Sequence, residues 1–227
     1  MRLACDTGGT FTDLIVEDEA GRLDMFKAST TPADPVEGVI NALKLAAEDA
    51  GVSLGEYLAR ADTFIHGTTH AINAVITGRT ARTALLTTEG HPDVLVLREG
   101  GRAEPFNFTV AYPEPYIPRA LTYEVPERVN AEGKVVKPLD EAAVVAICHK
   151  MREAKVEAVA VALLWSVANA AHERRVRDIL AEHLPDVPVT LSSELNPTIR
   201  EFRRASSTAI DASLKPLMGS YLGSLSQ

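Results

Sequence analysis

RLACDTGGTFTDLIV, residues 2–16, decides how the chain begins to fold. The stretch up to Cys5 is largely apolar, Asp6 to Thr10 is a turn cluster around Gly8 and Gly9, and Leu14-Ile15-Val16 is apolar again. Two short apolar runs about a Gly-Gly turn read as a β-hairpin. Ala20-Gly21 makes a second turn before a third run at 23–28. A glycine-rich turn between two strands sets this chain apart from dinucleotide-binding and P-loop folds, which place theirs between a strand and a helix.

Working outward, residues 36–50 carry apolar side chains at 36, 39, 40, 43, 46, 47 and 50, a helical period that Gly51 closes. A strand at 63–65, a helix at 71–76 and a buried-type strand at 83–87 (TALLT) follow, and Val94–Leu97 is a further short apolar run. Residues 99–120 differ in texture, with Gly100, Gly101 and prolines at 105, 113, 115 and 118. They read as an ordered excursion with little regular structure. Its 103–118 portion is either a docking surface or a plain surface connection. Residues 121–129 alternate like a strand and 131–133 turn. Asp140 then caps a helix to 154, 156–164 is a strand, 170–183 a helix, 187–191 a strand, and Pro197 precedes a long helix to 214. That alternation implies an α/β architecture, a hairpin-led mixed sheet flanked by helices.

The chain has 227 residues, one large domain or two small ones at roughly 150 residues each. With 31 acidic against 23 basic residues, the net charge is −8, a field that repels phosphate backbones and argues against nucleic acid as a partner. Cys5 and Cys148 have no partners at zinc spacing and read as buried thiols in a reducing compartment. There is no long apolar run to span a membrane, and MRLACDTGG reaches polar residues too soon for a signal peptide. The expectation is a cytoplasmic chain.

Two motifs carry chemistry. In Asp6-Thr7-Gly8-Gly9-Thr10-Phe11-Thr12-Asp13, the glycines let backbone N–H groups approach an anion. Thr7, Thr10 and Thr12 add hydroxyls suited to phosphate oxygens, and Asp6 can hold Mg²⁺ through water. An ordinary Gly-Gly hairpin would need the same glycines but not the surrounding hydroxyls and carboxylates. In His66-Gly67-Thr68-Thr69-His70, a strand gives way to a helix, whose free N–H groups and two hydroxyls favour an anion. The alternative is that Thr68 or Thr69 merely caps the helix while His66 packs in the strand. Arg98, Glu99, Arg102, Glu127 and Arg128 lie next to apolar strands and form either a substrate or interface ion pair or ordinary exposed pairs, and Glu201, Arg203, Arg204 and Asp211 sit on one helix with intrahelical or interdomain pairing as the default reading.

DTGGTFTD (6–13), HGTTHAINA (66–74), TTEGHPDVL (87–95), PEPYIPRALTYEVPERV (113–129) and LSSELNPTIREFRRASSTAIDA (191–212) resemble, in order, the N-terminal region of the hydantoinase A/5-oxoprolinase family, which includes ATP-binding subunits of ketone carboxylases. The resemblance implies an actin/hexokinase-like, ribonuclease H-like ATPase lobe over 1–195, with 196–227 an interlobe helix leading to a second lobe outside this chain. It implies ATP and Mg²⁺, with Asp6 the carboxylate near the metal. Thr7, Gly8, Gly9, Thr10 and Thr12 would form the phosphate hairpin, and His66, Gly67, Thr68 and Thr69 a second turn at the cleft, His66 with a catalytic role. The activity implied is phosphorylation of a substrate oxygen. It opens an oxoproline, hydantoin or lactam ring, or carboxylates a ketone, beside a companion hydantoinase B-like subunit. Ile72 replaces the threonine usual in the second motif. The other reading is a non-catalytic scaffold lobe that assembles such a complex.

Overall fold

The computed structural model describes the chain except residues 32, 33, 101–103, 105, 226 and 227. Of the expected excursion, Gly101, Arg102, Ala103 and Pro105 therefore lie outside the described residues. The chain separates into two compact units, residues 1–79 with 217–227, and residues 80–216. The break expected at 195/196 falls inside the second unit.

The first unit opens with β1 (Arg2–Thr7), β2 (Phe11–Glu17) and β3 (Leu23–Ser29), antiparallel neighbours in a meander, followed by α1 (Pro35–Asp49) and the short α2 (Leu54–Leu58). β4 (Thr63–Thr68) then pairs parallel with β1, giving the mixed order β3-β2-β1-β4, and leads into α3 (His70–Ile76). Strict alternation puts Leu3, Cys5, Leu14 and Val16 on one buried face. There they meet Val39, Ala42, Leu43 and Ala46 of α1. The other face leaves Ile15, Met25 and Ile65 exposed. Asp34 caps α1, accepting from Val36 N at 3.1 Å, and Gly51 follows it with φ +67°. β4 runs three residues past its expected end at 65, because its ladder to β1 continues through Asp6↔Gly67 and Thr7↔Thr68.

The second unit holds β5 (Thr83–Thr88), α4 (Val94–Leu97), a single 3-10 turn (Arg119–Leu121), β6 (Thr122–Val125), the small pair β7 (Arg128–Val129) and β8 (Val135–Lys137), and α5 (Glu141–Glu153). β9 (Ala158–Ala162), α6 (Ala171–His183), β10 (Val189–Leu191), α7 (Ser192–Leu195) and α8 (Glu201–Leu225) complete it, with residues from Leu217 onward belonging to the first unit. Its sheet is all parallel, in the order β10-β9-β5-β6. β5 and β9 are buried along their whole length, as a sheet covered on both faces requires.

The short apolar run Val94–Leu97 forms a helical turn, and one expectation needs correcting here. The last helix passes Leu214 and continues through Pro216 to Leu225. Of the charged residues on that helix, Asp211 pairs along it with Lys215 at 3.7 Å, whereas Arg203 and Arg204 look elsewhere. Arg203 pairs with Glu99 at 2.9 Å, Asp211 accepts from Thr190 at 2.7 Å, and Arg204 is buried.

Arg204 belongs to a polar lock. Its guanidinium donates to Ser192 Oγ, Thr198 O and Leu163 O, and the fully buried Glu173 accepts from Leu163 N, Ser193 N and both serine hydroxyls at 2.6–2.9 Å. The network ties β9, α6, α7 and α8 together and satisfies two charges that could not otherwise be buried.

Candidate functional site

The first unit gathers the hairpin turn and the β4–α3 junction. Gly8 N donates to Phe11 O at 3.0 Å to close the turn. That leaves the N–H groups of Gly9 and Thr10 without an acceptor among the described residues. The turn is tight: a Cβ on Gly8 would stand 3.1 Å from Phe11 O, and one on Gly9 3.2 Å from Asn73 Nδ2. The junction is latched to the end of β1 through one carbonyl, Thr7 O, which accepts from Thr68 Oγ1 and Thr69 N, both at 3.2 Å. Thr68 Oγ1 in turn accepts from His70 N at 3.0 Å, and Thr69 Oγ1 accepts from Asn73 Nδ2 at 3.1 Å. Thr68 thus spends its oxygen on the start of α3.

A small cavity of about 40 Å³ beside the turn is lined by Thr7, Gly8, Gly9, His70, Asn73 and Arg79, among others. A larger one of about 370 Å³ shares Pro35, His70, Asn73 and Arg79 with it and adds Tyr221. Arg79 has no acidic partner among the described residues. Its Nε donates only to Thr77 Oγ1, at 3.0 Å. A guanidinium and free backbone N–H groups on one small cavity make an anion site.

Not every expected residue is presented there. Thr12 is fully buried and its hydroxyl is bonded to Thr30 Oγ1 at 2.9 Å beneath α1, so it does not reach the turn. Asp6 and His66 lie on opposite faces of the sheet, since His66 is in register with Cys5 and Asp6 with Gly67. Asp6 is exposed beside its register neighbour Asp13, whose carboxylate is held by Lys27 at 2.7 Å. Gly67 leaves room there, for a Cβ would come 3.5 Å from Asp6 Oδ1. His66 bonds through Nε2 to Tyr221 Oη at 2.5 Å, and its buried Nδ1 has no partner. Burial lowers its pKa, partly offset by the Asp6 charge. Cys5, beneath the turn, is pushed up to about 11 by burial and is an inert thiol.

Against known proteins, the family model described as hydantoinase/oxoprolinase N-terminal region matches residues 2–184. The chain belongs to this family. It is 40% identical over 223 residues to the caprolactamase subunit alpha of Pseudomonas jessenii, covering 97% of this chain and 32% of that one. It is 36% identical to the acetophenone carboxylase gamma subunit of Aromatoleum aromaticum, covering 96% and 31%. The crystal structure of the ATP-dependent caprolactamase from Pseudomonas jessenii superposes with a TM-score of 0.90 at 38% identity, over all of this chain and 33% of that one. The chain therefore spans about a third of the length of the relatives it matches.

In this hydantoinase/oxoprolinase-family chain, three site residues escape a reading by motif. Arg79 follows Gly78 at the end of α3, away from either cluster, and only its solitary charge beside a glycine could have flagged it. Asn73 was quoted in a motif but given no role, yet it touches both turns. Tyr221 lies 155 residues from His66 and has no local signal. His70 is half-buried against Tyr221, with ring centroids 5.2 Å apart.

Proposed function

We propose that this chain supplies the phosphate-binding half of a nucleotide site in an ATP-dependent enzyme of the hydantoinase/oxoprolinase family. The observation that carries the reading is the cavity on which the Gly8-Gly9 turn and the unpaired Arg79 guanidinium converge. In that role Thr7, Gly8, Gly9 and Thr10 form the phosphate hairpin, with Gly67, Thr68 and Thr69 holding the facing turn. Thr12 supports from beneath, and Arg79 and Asn73 join the site. The order β3-β2-β1-β4 is consistent with an actin-like, ribonuclease H-like lobe.

The residues present fit a magnesium nucleotide. No group of three or more acidic, histidine or cysteine side chains able to cage a metal exists among the described residues. Mg²⁺ asks for less, one or two carboxylates with water and phosphate oxygens completing an octahedron. Asp6, exposed and without a cationic partner among the described residues, would hold it, while Asp13 is occupied by Lys27. Bound Mg-ATP would supply the phosphoryl group that activates an amide or enolate oxygen of a cyclic amide or ketone substrate. His66, neutral and bonded to Tyr221, would position the β4–α3 junction from the far face. A second ATPase lobe and a hydantoinase B-like companion subunit would complete the enzyme, consistent with the subunit names of the relatives. No described helix is long and apolar enough to cross a membrane.

The test is a calorimetric titration of Mg-ATP into the full-length protein with its companion subunit. Asp6→Ala should remove the magnesium dependence. Arg79→Gln should weaken binding by roughly ten- to a hundredfold, the loss of a charge-assisted contact to phosphate. No binding to the unmodified protein would overturn the reading and leave a scaffold.

A further inference from the structure

The second unit contains a site that the nucleotide reading does not use. In its sheet the chain leaves β5 for β6 on one side, whereas β9 continues to β10 on the other. The carboxyl ends of β5 and β9 are thus a topological switch point, the place where open parallel sheets leave a crevice for a ligand. A cavity of about 450 Å³ sits at that point, lined by Thr87 and Ala162, which are register partners at the ends of the two strands.

Its walls have a defined chemistry. Val94, Leu97, Leu164 and Ala205 are apolar, and Trp165 adds an aromatic surface. Three arginines line it. Arg204 is saturated by the buried lock, and Arg98 reaches Glu114 O at 3.3 Å. Arg128, in register with Lys137 across the β7–β8 pair, is half-buried, and its side chain has no acidic or hydrogen-bonding partner among the described residues. Of the acids on the wall, Asp93 is neutralised by Arg119 at 2.8 Å, and Glu201 is exposed. Of the three non-glycine residues with positive φ among the described residues, two, Arg98 at +58° and Trp165 at +56°, stand on this cavity. Bulky side chains adopt that conformation only where their surroundings impose it, and such strain concentrates at ligand sites.

We propose that this cavity binds a small organic carboxylate with a short apolar body, its carboxylate on Arg128 and its body against Trp165 and Leu97. The volume is that of a small-molecule pocket, apolar with few polar anchors. An inorganic anion would leave the apolar wall unused, and a neutral molecule would leave Arg128 unpaired.

The experiment is a saturation-transfer NMR titration of the full-length protein with hexanoate, hexanamide and inorganic phosphate. Hexanoate should bind saturably and quench Trp165 fluorescence. Hexanamide and the Arg128→Gln variant should each bind about tenfold more weakly or worse, the loss expected for one charge-assisted contact, and Arg128→Lys should recover part of it. Leu97→Ala, at a half-exposed position that leaves the fold intact, should also weaken hexanoate. Asp6→Ala should leave hexanoate binding unchanged, which separates this site from the nucleotide proposal. Equal affinity for acid and amide, an unaffected Arg128→Gln, or tighter binding of phosphate than of hexanoate would each overturn the assignment.

Discussion

Gly38 and Thr12 touch so closely that a methyl group on Gly38 would stand 2.7 Å from Thr12 Oγ1. The glycine lies in mid-helix on α1, where alanine ordinarily gains about 1 kcal/mol. Here the intruding methyl would meet a buried hydroxyl bonded to Thr30, with the backbone of Thr30 3.3 Å away. Gly38→Ala should therefore destabilise the protein by about 1–3 kcal/mol, as overpacking does. A thermal melt that stayed level or rose would show that Thr12 has room to move.

Arg204 is 1% exposed, and burial pulls its pKa down while Glu173 pulls it up. Arg204→Met would leave the Glu173 carboxylate buried with no cation near it. The cost should be about 3–5 kcal/mol, that of orphaning one member of a buried charged network. Urea unfolding would measure it, and a loss below 1 kcal/mol would mean that water or proton uptake replaces the arginine.

His66 and His70 both have pKa values held below the usual 6.5, with burial the larger cause for each. A base whose folded pKa is depressed binds its proton more readily when unfolded. Its neutral form therefore favours the fold fully above pH 6.5, and stability falls as pH drops from 6.5 through the folded values. The melting temperature should decline over that window, and a His66→Gln/His70→Gln double variant should flatten the decline. An unchanged slope in the variant would assign the acid sensitivity elsewhere.

Gly9 stands where a Cβ would lie 3.2 Å from Asn73 Nδ2. Gly9→Ala should weaken Mg-ATP binding by about 1–3 kcal/mol with little effect on melting, because the turn is at the surface. Asn73→Ala should return part of that loss when combined with it, a coupling that a double-mutant cycle reads directly. Additive effects would show that the two turns do not press on each other.

Local chemistry was legible in the sequence and long-range assembly was not. The Gly8-Gly9 hairpin, Asp140 as a cap accepting from Ala143 N, and Gly51 after α1 all follow from rules that operate within a few residues. The burial of Thr12 was also available, since period-2 alternation puts it on the same face as Leu14 and Val16. What hid it was the attraction of a hydroxyl near a glycine turn. The split into two sheets could not be read, because TALLT suits either sheet equally well. Arg79, Tyr221 and the positive φ of Trp165 depend on where distant segments pack, and no spacing rule reports that.

The first unit is discontinuous in sequence, and this sets an order of assembly during synthesis. Residues 1–79 leave the ribosome before any of the second unit, yet Tyr221, the partner of His66, comes 155 residues after it. At about 5–20 residues per second, that interval lasts roughly 8–30 s. The second unit, contiguous from 80 to 216, can close its parallel sheet while the first still lacks its last piece. The histidine beside the glycine turn therefore waits on the synthesis of residues 80–216, and a chain stalled within them would carry the hairpin without the tyrosine that steadies its neighbour.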